Sequence, residues 1–195
     1  MPGRGSRTLS TDGRTRESLA MDGAAREAPA SGPAFRSAMW AGYAACIWAL
    51  VFAAISFYWA AGGTAGSETI GPAITDMARD PAFIAVLWGT GALKVLGGLL
   101  ALALVRPWGR VLPRWGLLAA AWSGGILMAL YGAASWVQEG LMVGGVIRTP
   151  AGLGHTAALW HVLLWDPWWL LGGILFILAA WSYSRRTGDH SGGMR

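Results

Sequence analysis

The chain is poor in several kinds of residue, and each shortage narrows what it can be. Its 195 residues include one cysteine, Cys46, and that cysteine lies inside an apolar run. Disulfides within the chain, CxxC redox chemistry and Cys-rich zinc sites are therefore excluded. Charged residues make up 13% of the sequence, against roughly 25% in ordinary soluble domains. Only one of the 15 basic residues is a lysine, Lys94; the arginines lie at the chain ends and in short gaps between apolar runs. No basic face alternates with aromatics, so the net charge of +5 does not indicate a nucleic-acid partner. Nucleophile elbow, catalytic triad and metalloprotease signatures are all missing.

Hydrophobic residues, at 54%, are in contrast abundant and concentrated. Apolar stretches run over 38–61, 82–105 and 115–137, and a fourth ends near Tyr183. Each of the first three exceeds the ~20 residues that cross a bilayer core as a helix. None contains a proline, and all are too long for strands, so helices are the expected spanning elements.

Lysine and arginine in the flanks set the expected threading. Six arginines precede the first run, Arg79 alone falls in the next gap, and Arg106, Arg110 and Arg114 fill the short loop after the second. Arg148 stands alone in the third gap, and Arg185, Arg186 and Arg195 follow the last run. This rich-poor alternation predicts four spans with both termini in the cytoplasm. Residues 1–35 hold few large apolar side chains and read as a disordered cytoplasmic tail; 187–195 read as a second, short one. The expected class is all-α, an integral membrane four-helix bundle over 36–186 surrounded by lipid.

Small residues suggest helix contacts. Ala41, Ala45, Ala49 and Ala53 form one i, i+4 stripe, and Ala121, Gly125, Ala129 and Ala133 another. Both predict close crossings, with each other or between copies in a homo-oligomer.

Three side chains stand out as candidates for function. Lys94 lies near the middle of the second span, where a charge costs at least ~2.5–3.5 kcal/mol. The structural expectation is donation to carbonyls or to hydroxyls such as Ser56 or Ser123; the functional one is an anion site or a proton step. Asp166 sits among tryptophans in WHVLLWDPWWLLGG, 160–173. Thr156 to Tyr183 would be a helix of about 42 Å at 1.5 Å per residue, so a break is expected. With Asp166 as N-cap and Pro167 as first helical residue, the last span is 167–184, preceded by a short interfacial or re-entrant apolar helix. The tryptophans would then anchor that start at the headgroup level. In the rival geometry Thr156 opens the span, Pro167 kinks it, and Asp166 lies ~15 Å deep at the height of Lys94. His161, the third candidate, is six residues from His155, a spacing that shares no helix face. No metal site and no cofactor follow from that pair, and His161 is expected to bond locally.

The pieces SFYWAAGGT (56–64), VRPWGR (105–110) and WDPWWLLGG (165–173) resemble an uncharacterised family of small bacterial four-span membrane proteins over residues 38–186. The resemblance implies four transmembrane helices in the inner or plasma membrane and no activity, substrate or cofactor. The sequence therefore reads as a non-enzymatic multi-pass membrane module. A small-solute or proton-coupled carrier built on Lys94 is the alternative, and a membrane enzyme or haem carrier ranks third.

Overall fold

The computed structural model describes residues 33–188, and every regular element in them is helical. The expected disordered tail lies outside the described residues, except for Pro33 to Phe35, which open the first helix. Residues 189–195 also lie outside them.

Four long helices carry the fold. Helix α1 is Pro33–Ala60; a 3-10 turn, Ser67–Thr69, and the short α2, Pro72–Met77, lead to α3, Pro81–Ala103. A second 3-10 turn, Pro107–Val111, precedes α4, Arg114–Val143. The last run begins as α5, His155–Trp160, passes through a π-helical turn, His161–Trp165, and continues as α6, Asp166–Gly188. Four stretches, Met39–Ala60, Pro81–Ala103, Arg114–Val143 and His155–Arg186, are long and apolar enough to cross a membrane. At 1.5 Å per residue the 23 residues of α3 extend about 35 Å, enough for a hydrocarbon core of ~30 Å.

The chain order makes successive long helices run in opposite directions, and contacts at each end agree. At one end the 61–80 connection meets the 144–154 connection, where Gly71 has φ 138° and a Cβ there would lie 3.3 Å from the Gly152 carbonyl. Only glycine suits both that backbone and that approach. At the opposite end Arg186 Nη2 donates to the Leu104 carbonyl at 3.0 Å, and Arg114 Nη2 donates to the Ser184 carbonyl at 3.5 Å. The first of these closes a carbonyl that the end of α3 would otherwise leave open.

The small-residue stripes lie at close crossings, and Ala41 and Ala121, one from each, belong to the same buried cluster. On α1, Ala41, Ala45, Ala49 and Ala53 are all buried, and Ala49 Cβ would touch a Cβ on Gly98 of α3 at 3.6 Å. The α4 stripe instead meets α6: a Cβ on Gly173 would collide with the backbone of Ala129 and lie 2.7 Å from the Gly125 carbonyl. One turn and more further along, a Cβ on Gly132 would lie 2.7 Å from Leu170 N and 2.9 Å from the Asp166 carbonyl. Glycine thus lets α4 and α6 approach backbone to backbone.

Between α1 and α6 the core is aromatic. Trp48 Nε1 donates to the Trp168 carbonyl at 2.9 Å, and its ring stacks on Trp168 with centroids 6.0 Å apart. Phe52 packs edge-on to Trp169 at 5.0 Å and lies 6.3 Å from Trp165. Of the tryptophans of WDPWW, Trp165 is buried in the core and Trp168 and Trp169 are half-buried against it, all facing α1.

A candidate polar centre between α4 and the last helix

The expected break at Asp166 takes a different form. Asp80 does cap α3: its side chain accepts the Ala82 N–H at 2.7 Å, with Pro81 as first helical residue. Asp166 precedes a proline too, yet its φ and ψ are −70° and −45°. It lies inside a helical run, and no short interfacial helix is separated from the last span.

Proline explains why the run widens there. Pro167 has no N–H, and in an α-helix its ring would collide with the carbonyl four residues back. A π turn, with i→i+5 hydrogen bonds, relieves that collision; the Asp166 N–H accordingly donates to the His161 carbonyl. The next bond in the series would need the missing N–H of Pro167 at the Val162 carbonyl. Trp136 of α4 supplies the donor instead, its Nε1 reaching that carbonyl at 3.1 Å.

The π turn also changes which side chains meet. In an α-helix residues five apart lie about 140° around the axis, given 3.6 residues per turn. Across the π turn the His161 imidazole and the Asp166 carboxyl come within 3.9 Å, Nδ1 to Oδ1. Glu139 enters from α4, with Oε2 3.2 Å from His161 Nδ1. One ligating atom from each of the three lies within 4.8 Å of the others. Asp166 is 1% exposed, and the Glu139 and His161 side chains 13% and 17%.

The opposite edge of the imidazole is engaged as well. Nε2 lies 3.2 Å from the Ile70 carbonyl, and a carbonyl only accepts, so Nε2 carries the proton and Nδ1 turns to the carboxyls. Next to it, Trp165 Nε1 donates to Thr69 Oγ1 at 3.1 Å. The 3-10 turn and Ile70 thereby hold the ring from outside the bundle. Ile70 also lines a cavity of about 920 Å³ formed by the 61–80 connection and the start of α3.

The cluster is not satisfied by its own hydrogen bonds. Glu139 Oε2 and Asp166 Oδ2 are buried and have no hydrogen-bond partner. Although Oε2 is 3.2 Å from Nδ1, no hydrogen bond joins them. Buried polar groups left unpaired cost about 1–3 kcal/mol each, more when charged.

Lys94 lies elsewhere and is settled. Its Nζ donates to Ser56 Oγ at 2.6 Å and sits 3.8 Å above the centre of the Phe52 ring. Ser56 in turn donates to the Phe52 carbonyl at 3.3 Å. Among the described residues no carboxylate forms a salt bridge with Lys94. The three sequence candidates thus divide: Asp166 and His161 come together, and Lys94 stands apart. Glu139, which completes the cluster, lies at the far end of the third apolar run in WVQEG, 136–140.

Comparison with known proteins places the chain without assigning it chemistry. A family of proteins of unknown function, DUF3995, matches residues 49–176, well over half of the sequence. The chain belongs to this family. The matched region contains Lys94, Glu139, His161 and Asp166, so both polar spots fall inside the family domain. No curated protein and no solved structure matches the chain.

Proposed function

We propose that this DUF3995 protein is a non-enzymatic integral membrane module of the bacterial inner or plasma membrane. It crosses four times with both termini in the cytoplasm, and the Glu139–His161–Asp166 cluster is its working part near the outer face. The observation that carries the reading is the combination of four apolar helices with arginine-rich and arginine-poor connections that alternate along the chain. Lipid accounts for the many large apolar side chains left facing outward, such as Leu93, Leu127 and Leu163, at 66–72% exposure. Under this threading the cluster belongs to the end that carries Arg79 and Arg148, the outer one by the positive-inside rule. Reporter fusions test it: cytoplasmic reporter activity is expected at the C-terminus and extracytoplasmic activity within 144–154. A C-terminal reporter active outside the cytoplasm overturns the threading.

A second reading, a carrier of small anions or protons built on Lys94, draws on one observation. Lys94 lines a cavity of about 520 Å³ with Phe52, Thr90, Met128 and Trp169. Dissipation of an imposed pH gradient or anion uptake in proteoliposomes, lost in Lys94→Met, supports it. Transport that is absent, or unchanged by that substitution, removes it.

A further inference from the structure

We propose that Glu139, His161 and Asp166 form a binding site for one divalent transition-metal ion, for which zinc(II) is the matching probe. The proposal deepens the reading of this cluster as the working part of the molecule. It has its own readout, so it stands or falls separately from the membrane threading.

Three observations converge on a cation. With Nε2 engaged by the Ile70 carbonyl, Nδ1 is the ring atom that faces two carboxyl groups. Three electron-rich atoms facing one another repel unless a positive charge lies among them. The Asp166 side chain is almost wholly buried, and its Oδ2 is unpartnered, as is Oε2 of Glu139. A proton on Nδ1 would supply such a charge 3.2 Å from Oε2, yet Oε2 and Asp166 Oδ2 have no hydrogen-bond partner.

Coordination geometry agrees. Zinc binds imidazole nitrogen and carboxylate oxygen at about 2.0–2.2 Å, which puts ligand atoms about 3.3 Å apart in a tetrahedron. The Glu139–His161 separation is 3.2 Å and the His161–Asp166 Oδ1 separation 3.9 Å, with one ligating atom of each within 4.8 Å of the others, so binding requires the Asp166 carboxyl to draw in by about half an ångström. Two carboxylates and a neutral imidazole carry two negative charges, which a divalent ion balances. The Nε2–H contact with a backbone carbonyl is the outer-shell support that ligating histidines commonly have. Three protein ligands leave a coordination position for water or a small ligand.

The test uses the untagged full chain, purified in mild detergent, stripped with a chelator and titrated with zinc chloride. One equivalent is expected to bind, with affinity reduced at least tenfold in Glu139→Gln and in His161→Gln. Circular dichroism and size-exclusion chromatography establish that the variants are folded. X-ray absorption at the zinc edge of the wild-type protein provides a measure that does not depend on any variant. It is expected to show one imidazole with oxygen ligands and no sulfur. Absence of stoichiometric binding, wild-type affinity in folded variants, or a zinc environment lacking imidazole each overturns the proposal. The first would leave the trio as a cluster of buried titratable groups without an ion.

Discussion

Two polar spots lie among the apolar helices, and they are resolved in opposite ways. At Lys94 one charge meets a hydroxyl and an aromatic face. A hydrogen bond to a charged group contributes about 1.5–3 kcal/mol, and a cation over a ring about 0.5–2 kcal/mol. Together these offset the ~2.5–3.5 kcal/mol that insertion scales assign to a mid-span lysine, with no ligand required. At Glu139, His161 and Asp166 three titratable groups converge and two oxygens are left over. The lesson is that an ionisable side chain inside a long apolar helix marks function only after its local partners have been counted.

The comparison can be broken first at the helix crossing that creates the cluster. Gly132→Val should abolish folding, because the new atoms would enter the backbone of Leu170 and Asp166; overpacking of this kind typically costs 1–3 kcal/mol, and a collision with backbone leaves little room to relax. A folded yield within twofold of wild type, read by size-exclusion chromatography in detergent, would argue against the α4–α6 approach.

Next in size is the support of the π turn. Trp136→Phe keeps an aromatic ring, though a smaller one, and removes the donor to the Val162 carbonyl, with an expected loss of about 1–3 kcal/mol. Thermal unfolding should detect it, and an unchanged midpoint would mean that the carbonyl finds another donor.

At Lys94 the expected effects are comparable or smaller, and unequal. Ser56→Ala leaves the ammonium without its acceptor and should destabilise by about 1–3 kcal/mol, whereas Lys94→Met removes the charge itself and should stay within about 1 kcal/mol. Adding Lys94→Met to Ser56→Ala should recover most of the loss. An additive double variant would show that Ser56 does not serve Lys94.

Much of the fold can be read directly from the sequence, because four apolar runs with intervening prolines, glycines and arginines leave few alternatives to helices. Asp80 and Pro81 show local chemistry sufficing: the pair caps a helix, and the structure has that cap. Asp166 and Pro167 show it failing. The same two residue types follow a segment that is already helical and held by Trp136, Ile70 and Thr69, so proline widens the helix instead of starting one. Neither geometry weighed for Asp166 includes its actual partners. The acid is inside the helix, as in the rival geometry, but it faces α4 and His161 rather than Lys94.

Glu139 illustrates the same limit. Its pairing with the last helix spans a long connection, and the His161–Asp166 spacing shares a face only once a π turn has shifted the helical phase. A five-residue interval matches no α-helical rule. The one available signal is Pro167 itself, since a proline within a long apolar helix is a place where that phase is apt to change.

The central claim is that the polar centre of this protein is the α4–α6 cluster and not Lys94. It is tested most directly by the shift in thermal midpoint on adding zinc chloride to chelator-stripped protein, compared among wild type, Lys94→Met and Glu139→Gln. An ion that binds only the folded state raises the midpoint. The account predicts equal rises for wild type and Lys94→Met and none for Glu139→Gln. A rise that persists in Glu139→Gln, or disappears in Lys94→Met, would contradict it.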